Sequence, residues 1–210
     1  MLSCLPMTFD YLVRDVQASD APALLEIYSP HILGTPTSFE TKVPSKKAWA
    51  GRIATLCSTF PFLVAERGTA DPDSDQDLPR LLGYAYASSH RARAAYRWST
   101  ETSVYVAAAA QRRGVGWRLY RCLLQLLELQ GFVNAYAGIT LPNPASVRLH
   151  ENLGFKPVGI YRHVGYKLGQ WHDVGWWSRT LAAPAASPLE PTPASQLRDG
   201  GEWRRCLEPG

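Results

Sequence analysis

The run Val104-Tyr105-Val106, then Gln111-Arg112-Arg113-Gly114-Val115-Gly116-Trp117, then Leu119, Leu123, Leu126 and Leu127, constrains the fold of this chain more than any other stretch. Alternation over Ser99 to Ala107 predicts a strand, and the leucine spacing predicts a helix from Gly114 to Gln130. Strand, tight loop and helix in that order place a helix N-terminus just past a strand end. The first N–H groups of a helix have no intrahelical partner, and glycine leaves them open to a ligand. Such an end binds phosphate, and Arg112 and Arg113 add cationic charge suited to several phosphates. Glycine at a strand-to-helix turn also serves backbone geometry alone, so the GxG pair does not decide the matter by itself. A dinucleotide fingerprint needs a third glycine where Leu119 stands, and no GxxxxGK[ST] phosphate loop occurs.

Around this unit the chain alternates strands and helices. Phe9 to Arg14 reads as a strand, and Ser19-Asp20 offers an N-cap for a helix carrying Leu24, Leu25 and Ile27. A second helix is expected over Ser45 to Leu56. Phe62 to Glu66 and Leu81 to Ala87 read as two strands of a hairpin, separated by a Gly68 to Arg80 segment whose DPDSDQD core predicts a solvated acidic loop. Further strands are expected at Val133 to Ile139, Phe155 to Tyr166 and His172 to Leu181, with a short helix from Asn143 to Asn152. This mixture predicts an α/β sheet.

With 46% hydrophobic residues among 210, the chain has enough apolar side chains for one sizeable core, expected over residues 8–182. Residues 183–210, rich in Pro, Ala and Ser without a periodic apolar face, are expected to be disordered. A net charge of +4 without a dense basic tract argues against a nucleic-acid partner. Cys4, Cys57, Cys122 and Cys206 are scattered with no metal-ligand spacing, so a reducing cytoplasm and no structural metal are expected. No run of about 18 apolar residues is present, which argues against membrane spanning.

Three sets of residues carry a family resemblance. Gln111-x-x-Gly114-x-Gly116 after Val104-Tyr105-Val106 resembles the acetyl-CoA motif of the GNAT acetyltransferase superfamily. Asn143-x-x-Ser146-x-x-Leu149-His150-x-x-x-Gly154-Phe155 is similar to that superfamily's downstream helix-and-strand motif. Arg91-x-Arg93-x-x-Tyr96-x-Trp98, Glu101-x-x-Val104-Tyr105-Val106 and Gly169-x-Trp171-His172-Asp173-Val174 resemble the phosphinothricin N-acetyltransferase family, which includes methionine sulfoximine and sulfone acetyltransferases. The resemblance runs from about Val13 to Leu181. It departs at Ala107 to Ala110, where family members tend to carry more polar residues or a proline.

The resemblance implies one GNAT-type domain with a mixed, mostly antiparallel twisted sheet flanked by helices. It implies acetyl-CoA as co-substrate, a small amine as acceptor and a homodimer. Cofactor contacts are expected from Val104, Tyr105, Val106, Gln111, Arg112, Arg113, Gly114, Val115, Gly116, Trp117 and Asn143. Acetyl transfer to an amine requires loss of the ammonium proton. Glu101 falls at the family's catalytic glutamate and is expected to act as general base, directly or through water. His150 stands where most of the superfamily resembles a tyrosine that protonates the departing thiolate, and imidazole can serve as acid or base near neutral pH. Asn143 and His150, seven apart, are expected on one helix face. Arg91, Arg93 and Tyr96, with Phe39, resemble the acceptor pocket and suit an anionic head group. The implied reaction is acetylation of the α-amine of phosphinothricin, methionine sulfoximine or a similar compound. A non-catalytic acetyl-CoA-binding sensor and a transferase acting on a protein N-terminus or other amine are the alternatives. Trp171, Trp176 and Trp177 are candidates either for a dimer interface or for the core.

Overall fold

A computed structural model describes residues 11–68 and 78–208. In chain order the elements are β1 (Tyr11–Asp15), α1 (Ala21–Leu33), α2 (Lys46–Thr59), β2 (Phe62–Arg67), β3 (Leu81–Ser89), β4 (Ser99–Val106), α3 (Val115–Leu129), β5 (Asn134–Leu141), α4 (Pro144–Asn152), β6 (Lys156–Lys167), β7 (Gln170–Thr180), α5 (Ala194–Leu197) and α6 (Gly201–Leu207). The expected elements from α1 to β7 are all present, with ends displaced by a few residues. Phe9 and Asp10, and most of the acidic insert, lie outside the described residues.

Seven strands form one sheet in the order β1-β2-β3-β4-β5-β7-β6. Every neighbouring pair is antiparallel except β4 and β5. Parallel neighbours require a crossover, and α3 supplies it. Residues of period two divide the side chains between two cores. One face packs Leu63, Ala85, Ala135, Ala137, Ile139 and Trp177 against Leu119, Leu123, Leu126 and Leu127 of α3. The other packs Phe62, Val64 and Tyr84 against Leu24, Ile27 and Tyr28 of α1 and Trp49 and Ile53 of α2.

Local chemistry explains two boundaries. Ser45 caps α2, its hydroxyl accepting from the Ala48 N–H at 3.2 Å. Asp20 does not cap α1 in the same way. Its buried carboxylate instead accepts from Arg14 at 2.7 Å, from Arg80 at 3.1 Å and from the Gln17 N–H at 2.8 Å. These partners hold its carboxyl below the usual range against the opposing cost of burial.

The segment expected to be disordered is ordered through residue 208 and straps the back of the domain. Trp203 of α6 is 1% exposed and its indole N–H donates to Asp15 Oδ2 at 2.9 Å. Arg198 donates to the other Asp15 oxygen at 3.2 Å and to the Cys57 carbonyl at 2.9 Å. The Gln130 amide donates to the Thr192 and Thr59 carbonyls, both at 2.7 Å. Arg118 reaches the Leu207 carbonyl at 3.1 Å, and Arg97 pairs with Glu190. A single buried tryptophan and satisfied backbone groups hold this segment without the periodic apolar face that a packed helix usually shows.

Candidate active site

The loop before α3 has the backbone that a bound anion requires. After the short turn Ala108–Ala110, Arg112 adopts φ 62° and Gly114 adopts φ 80°, both in the left-handed region. Only glycine enters that region without strain, and Gly114 sits at the N-cap of α3. The first-turn N–H groups at Val115, Gly116 and Trp117 are thereby directed out of the helix end. Gln111, Arg112 and Arg113 are exposed around it, and the half-exposed Trp117 ring carries the Arg121 guanidinium 5.5 Å from its centroid. A Cβ on Gly116 would stand 3.5 Å from both Leu149 of α4 and Val106 of β4 and would narrow the gap between those two elements. Gln111 and Val106 also line a cavity of about 440 Å³ beneath α1.

From this loop a cleft runs along β4. The parallel pairing of β4 with β5 covers only Ser99 to Glu101 against Asn134 to Tyr136. Beyond Glu101 the two strands part. Ser103, Val104 and Tyr105 line one wall of the opening and Gly138, Ile139 and Thr140 the other. Tyr105 turns its ring into the α1 core, edge-on to Tyr28 at 4.9 Å, so what β4 offers the cleft at this position is backbone. Thr37 enters from the α1 side, while Asn143, Ser146, Tyr120 and His150 enter from the α3 side.

The expected placement of Asn143 and His150 on one helix face is replaced by a different geometry. Asn143 is the N-cap of α4, with φ −146° and ψ 74°, and its Oδ1 accepts from the Ser146 N–H at 3.1 Å. Both side chains reach the cleft, but Asn143 does so from outside the helix because Pro144 begins it.

His150 is 3% exposed and held at both ring nitrogens. Nδ1 lies 2.7 Å from the Ser146 carbonyl, which only accepts, so Nδ1 carries hydrogen. Nε2 lies 3.0 Å from the Tyr120 hydroxyl, which in turn lies 3.2 Å from Thr102 Oγ1. Thr102 Oγ1 is 3.1 Å from the Tyr136 carbonyl. Burial pushes the His150 ring toward its neutral form, partly opposed by the Ser146 carbonyl, and burial also raises the Tyr120 hydroxyl well above its ordinary value. At neutral pH the consistent arrangement is therefore a neutral ring accepting from Tyr120. If the ring gains a proton, the Tyr120 hydroxyl need only turn to donate to Thr102 Oγ1, whose own hydrogen is already given to the Tyr136 carbonyl.

Glu101 occupies the opposite face of the sheet. Its Oε1 accepts from Arg91 Nη1 at 3.2 Å and lies 3.1 Å from His90 Nδ1. The His90 ring stacks on Tyr136 with centroids 4.4 Å apart and planes 14° apart, and it meets Tyr96 edge-on at 5.9 Å. Arg91 also lies over the Trp176 ring at 5.7 Å. Arg91 and Tyr96 are thus gathered around Glu101. Arg93 is exposed at the head of the turn Ala94–Tyr96, where its carbonyl accepts from the Tyr96 N–H at 3.0 Å, and its side chain makes no hydrogen bond or ion pair to this cluster among the described residues. Phe39 lies 6.3 Å from His172, in the space that Gly165 leaves open. Its loop is tied down by the buried Lys167 ammonium, which donates to the His31, Thr35 and Ser38 carbonyls. Of the three tryptophans, Trp177 is core, Trp176 is half-buried at the Glu101 cluster and Trp171 is exposed.

His90 is the residue that sequence reading missed. It precedes the Arg91 motif directly but has no pattern of its own. Its tie to Glu101 depends on the antiparallel register that places Ser88 opposite Glu101.

The acetyltransferase (GNAT) domain model matches residues 13–176. The chain belongs to the GNAT acetyltransferases. It is 38% identical over 185 residues to the phosphinothricin N-acetyltransferase of Streptomyces viridochromogenes, an alignment spanning 88% of this chain and 95% of that protein. It is 29% identical over 180 residues to the L-methionine sulfoximine/L-methionine sulfone acetyltransferase of Pseudomonas paraeruginosa, covering 84% and 98% of the two chains. The crystal structure of a GNAT superfamily phosphinothricin acetyltransferase from Sinorhizobium meliloti in complex with AcCoA superposes with a TM-score of 0.76 at 32% identity. That superposition covers 87% of this GNAT chain and 94% of the other. The strap formed by α5 and α6 lies beyond the residues matched by the domain model.

Proposed function

We propose that this enzyme transfers the acetyl group of acetyl-CoA to the α-amine of a small amino-acid analogue of the phosphinothricin or methionine sulfoximine type, by direct attack in a ternary complex. The observation that carries this reading is the parting of β4 from β5. The opening is lined by His150 and Asn143 and begins where Glu101 ends the paired stretch, and we read it as the passage between the glycine-ended α3 on one face of the sheet and the Glu101 cluster on the other. The N–H groups at the α3 N-terminus, with Arg112 and Arg113, fit the pyrophosphate, and the gap left by Gly116 fits the arm that follows it. Unpaired β4 backbone beyond Glu101 fits that arm as a hydrogen-bonding edge, with Asn143 opposite. The co-substrate supplies an activated acyl group on sulfur.

The chain's own residues manage two protons. Glu101 takes the first from the acceptor ammonium, freeing the nitrogen lone pair for attack. A β4 N–H stabilises the charge that develops on the acetyl oxygen. The second proton leaves nitrogen as the C–N bond forms, and sulfur must gain one as the C–S bond breaks. A neutral His150 is suited to carry that proton, because it can accept and release it with no net change of charge. Arg91 and Tyr96, with Phe39 as an apolar wall, fit the anionic end of the acceptor.

Thiol release from acetyl-CoA, measured over a panel of amino-acid analogues and polyamines, tests this reading. Glu101→Gln and His150→Ala are each expected to lower kcat by about 100-fold or more. Turnover by both variants at the wild-type rate would overturn the roles assigned. Acetyl-CoA binding without thiol release on any amine would overturn the activity.

We also propose a homodimer built on β6. This edge strand exposes Val158, Ile160, Tyr161, Val164 and Tyr166, next to Leu168 and Trp171, on a sheet border that otherwise lacks cover among the described residues.

A further inference from the structure

The His90 ring is fixed from three directions. Tyr136 lies flat beneath it at 4.4 Å, while Tyr96 at 5.9 Å and Trp176 at 6.0 Å present their rings edge-on. A carboxylate accepts hydrogen bonds only, so the contact of 3.1 Å with Glu101 Oε1 requires a hydrogen on His90 Nδ1. Arg91 Nη1 occupies the same oxygen at 3.2 Å. Oε2 has no hydrogen-bond partner among the described residues, and the Glu101 side chain keeps 31% of its surface exposed. The carboxylate is therefore anchored by one oxygen and open at the other.

Resting on the acetyltransferase reading above, we propose that His90 is a positioning residue for Glu101. Its N–H, held by the stack on Tyr136, clamps Oε1 so that Oε2 faces the acceptor amine. The ammonium proton passes to Oε2, and no bond to His90 is made or broken. The charged and titratable groups facing it are Glu101 from β4, Arg91 from its own loop, Tyr96 from the following turn and Tyr136 from β5. Trp176 of β7 contributes a surface that does not titrate.

Two substitutions separate clamping from mere packing. His90→Phe keeps a flat ring on Tyr136 and loses the donor, whereas His90→Asn keeps an N–H donor and cannot titrate. With an amino-acid analogue that the wild type acetylates, His90→Phe is expected to lose about 10- to 100-fold in kcat at unchanged KM for acetyl-CoA. His90→Asn is expected to recover most of that loss, because it restores an N–H donor to Oε1. Equal losses in the two variants would overturn the proposal. A readout independent of turnover is the NMR resonance of the His90 Nδ1–H proton in wild type and Glu101→Ala. Removing the carboxylate is expected to expose that proton to fast exchange with water, and an unchanged resonance overturns the pairing. Failure of the acetyltransferase reading is distinguishable, since it shows as absent thiol release by the wild type while the Nδ1–H resonance still reports on the pair.

Discussion

His150 Nε2 lies 3.0 Å from the Tyr120 hydroxyl, both side chains buried where they line the cleft. Tyr120→Phe keeps the edge-on ring contact of 4.9 Å but leaves both Nε2 and Thr102 Oγ1 without this hydroxyl. An unsatisfied buried polar group costs about 1–3 kcal/mol, so a lower melting temperature is expected. We also expect a fall of about 10-fold or more in kcat with little change in KM for acetyl-CoA. Steady-state kinetics beside differential scanning calorimetry check both, and wild-type kcat in Tyr120→Phe would show that the relay is only packing.

Burial of His150 has a defined effect on stability against pH. Its folded-state pKa lies below the unfolded value of about 6.5, so near that pH the unfolded chain binds more protons than the folded one. Stability is then fully present above about 6.5 and declines as pH falls from there toward the lower folded-state pKa. His31, lowered mainly by burial and further by Lys167, acts in the same direction. His150→Gln is expected to flatten part of this decline. Denaturant unfolding at a series of pH values decides it, and an unchanged slope would refute the assignment.

Gly114 and Gly116 should respond differently to alanine. At Gly114 the φ of 80° makes any side chain strained, costing about 1–2 kcal/mol, so stability and acetyl-CoA affinity are expected to fall together. At Gly116 an added methyl meets ordinary contacts of 3.5 Å, so the free protein should keep its melting temperature. The gap between α4 and β4 narrows nonetheless, and the acetyl-CoA Kd is expected to rise. Calorimetric titration of both variants separates the two cases, and undiminished affinity in Gly116→Ala would place the co-substrate elsewhere.

A methyl on Gly165 would stand 2.2 Å from the Phe39 ring and force that half-exposed side chain aside. Gly165→Ala is therefore expected to raise KM for the acceptor several-fold while leaving KM for acetyl-CoA unchanged. The reverse pattern would remove Phe39 from the acceptor wall.

Much of this was legible from residue order. The strand, glycine loop and leucine-spaced helix are local patterns, and the structure reproduces them because the α3 leucines must cover one face of the sheet. The Asn143 geometry was read less well, since Pro144 starts the helix one residue later than the spacing implied. His90 was invisible because its meaning comes from a partner eleven residues away across a strand register. The strap was misread for a similar reason. Composition reports that a segment cannot build a core of its own, but it does not report that Trp203 fills a space between β1 and α3 prepared by the rest of the chain.

Light scattering tests the β6 dimer. Tyr166→Lys with Trp171→Lys is expected to shift a dimer to monomer, and a wild type that is itself monomeric would rule the interface out.

Asp15 meets Arg198 and Trp203 across nearly the whole length of the chain, Trp203 standing 188 positions after Asp15. During synthesis the first strand leaves the ribosome long before its partners exist. Burial raises the Asp15 carboxyl even with both partners in place, so without them its charge is costly to bury. A chain paused before Trp203 is therefore expected to pair β1 with β2 less firmly, and to be cut by protease at β1 sooner than the 210-residue chain.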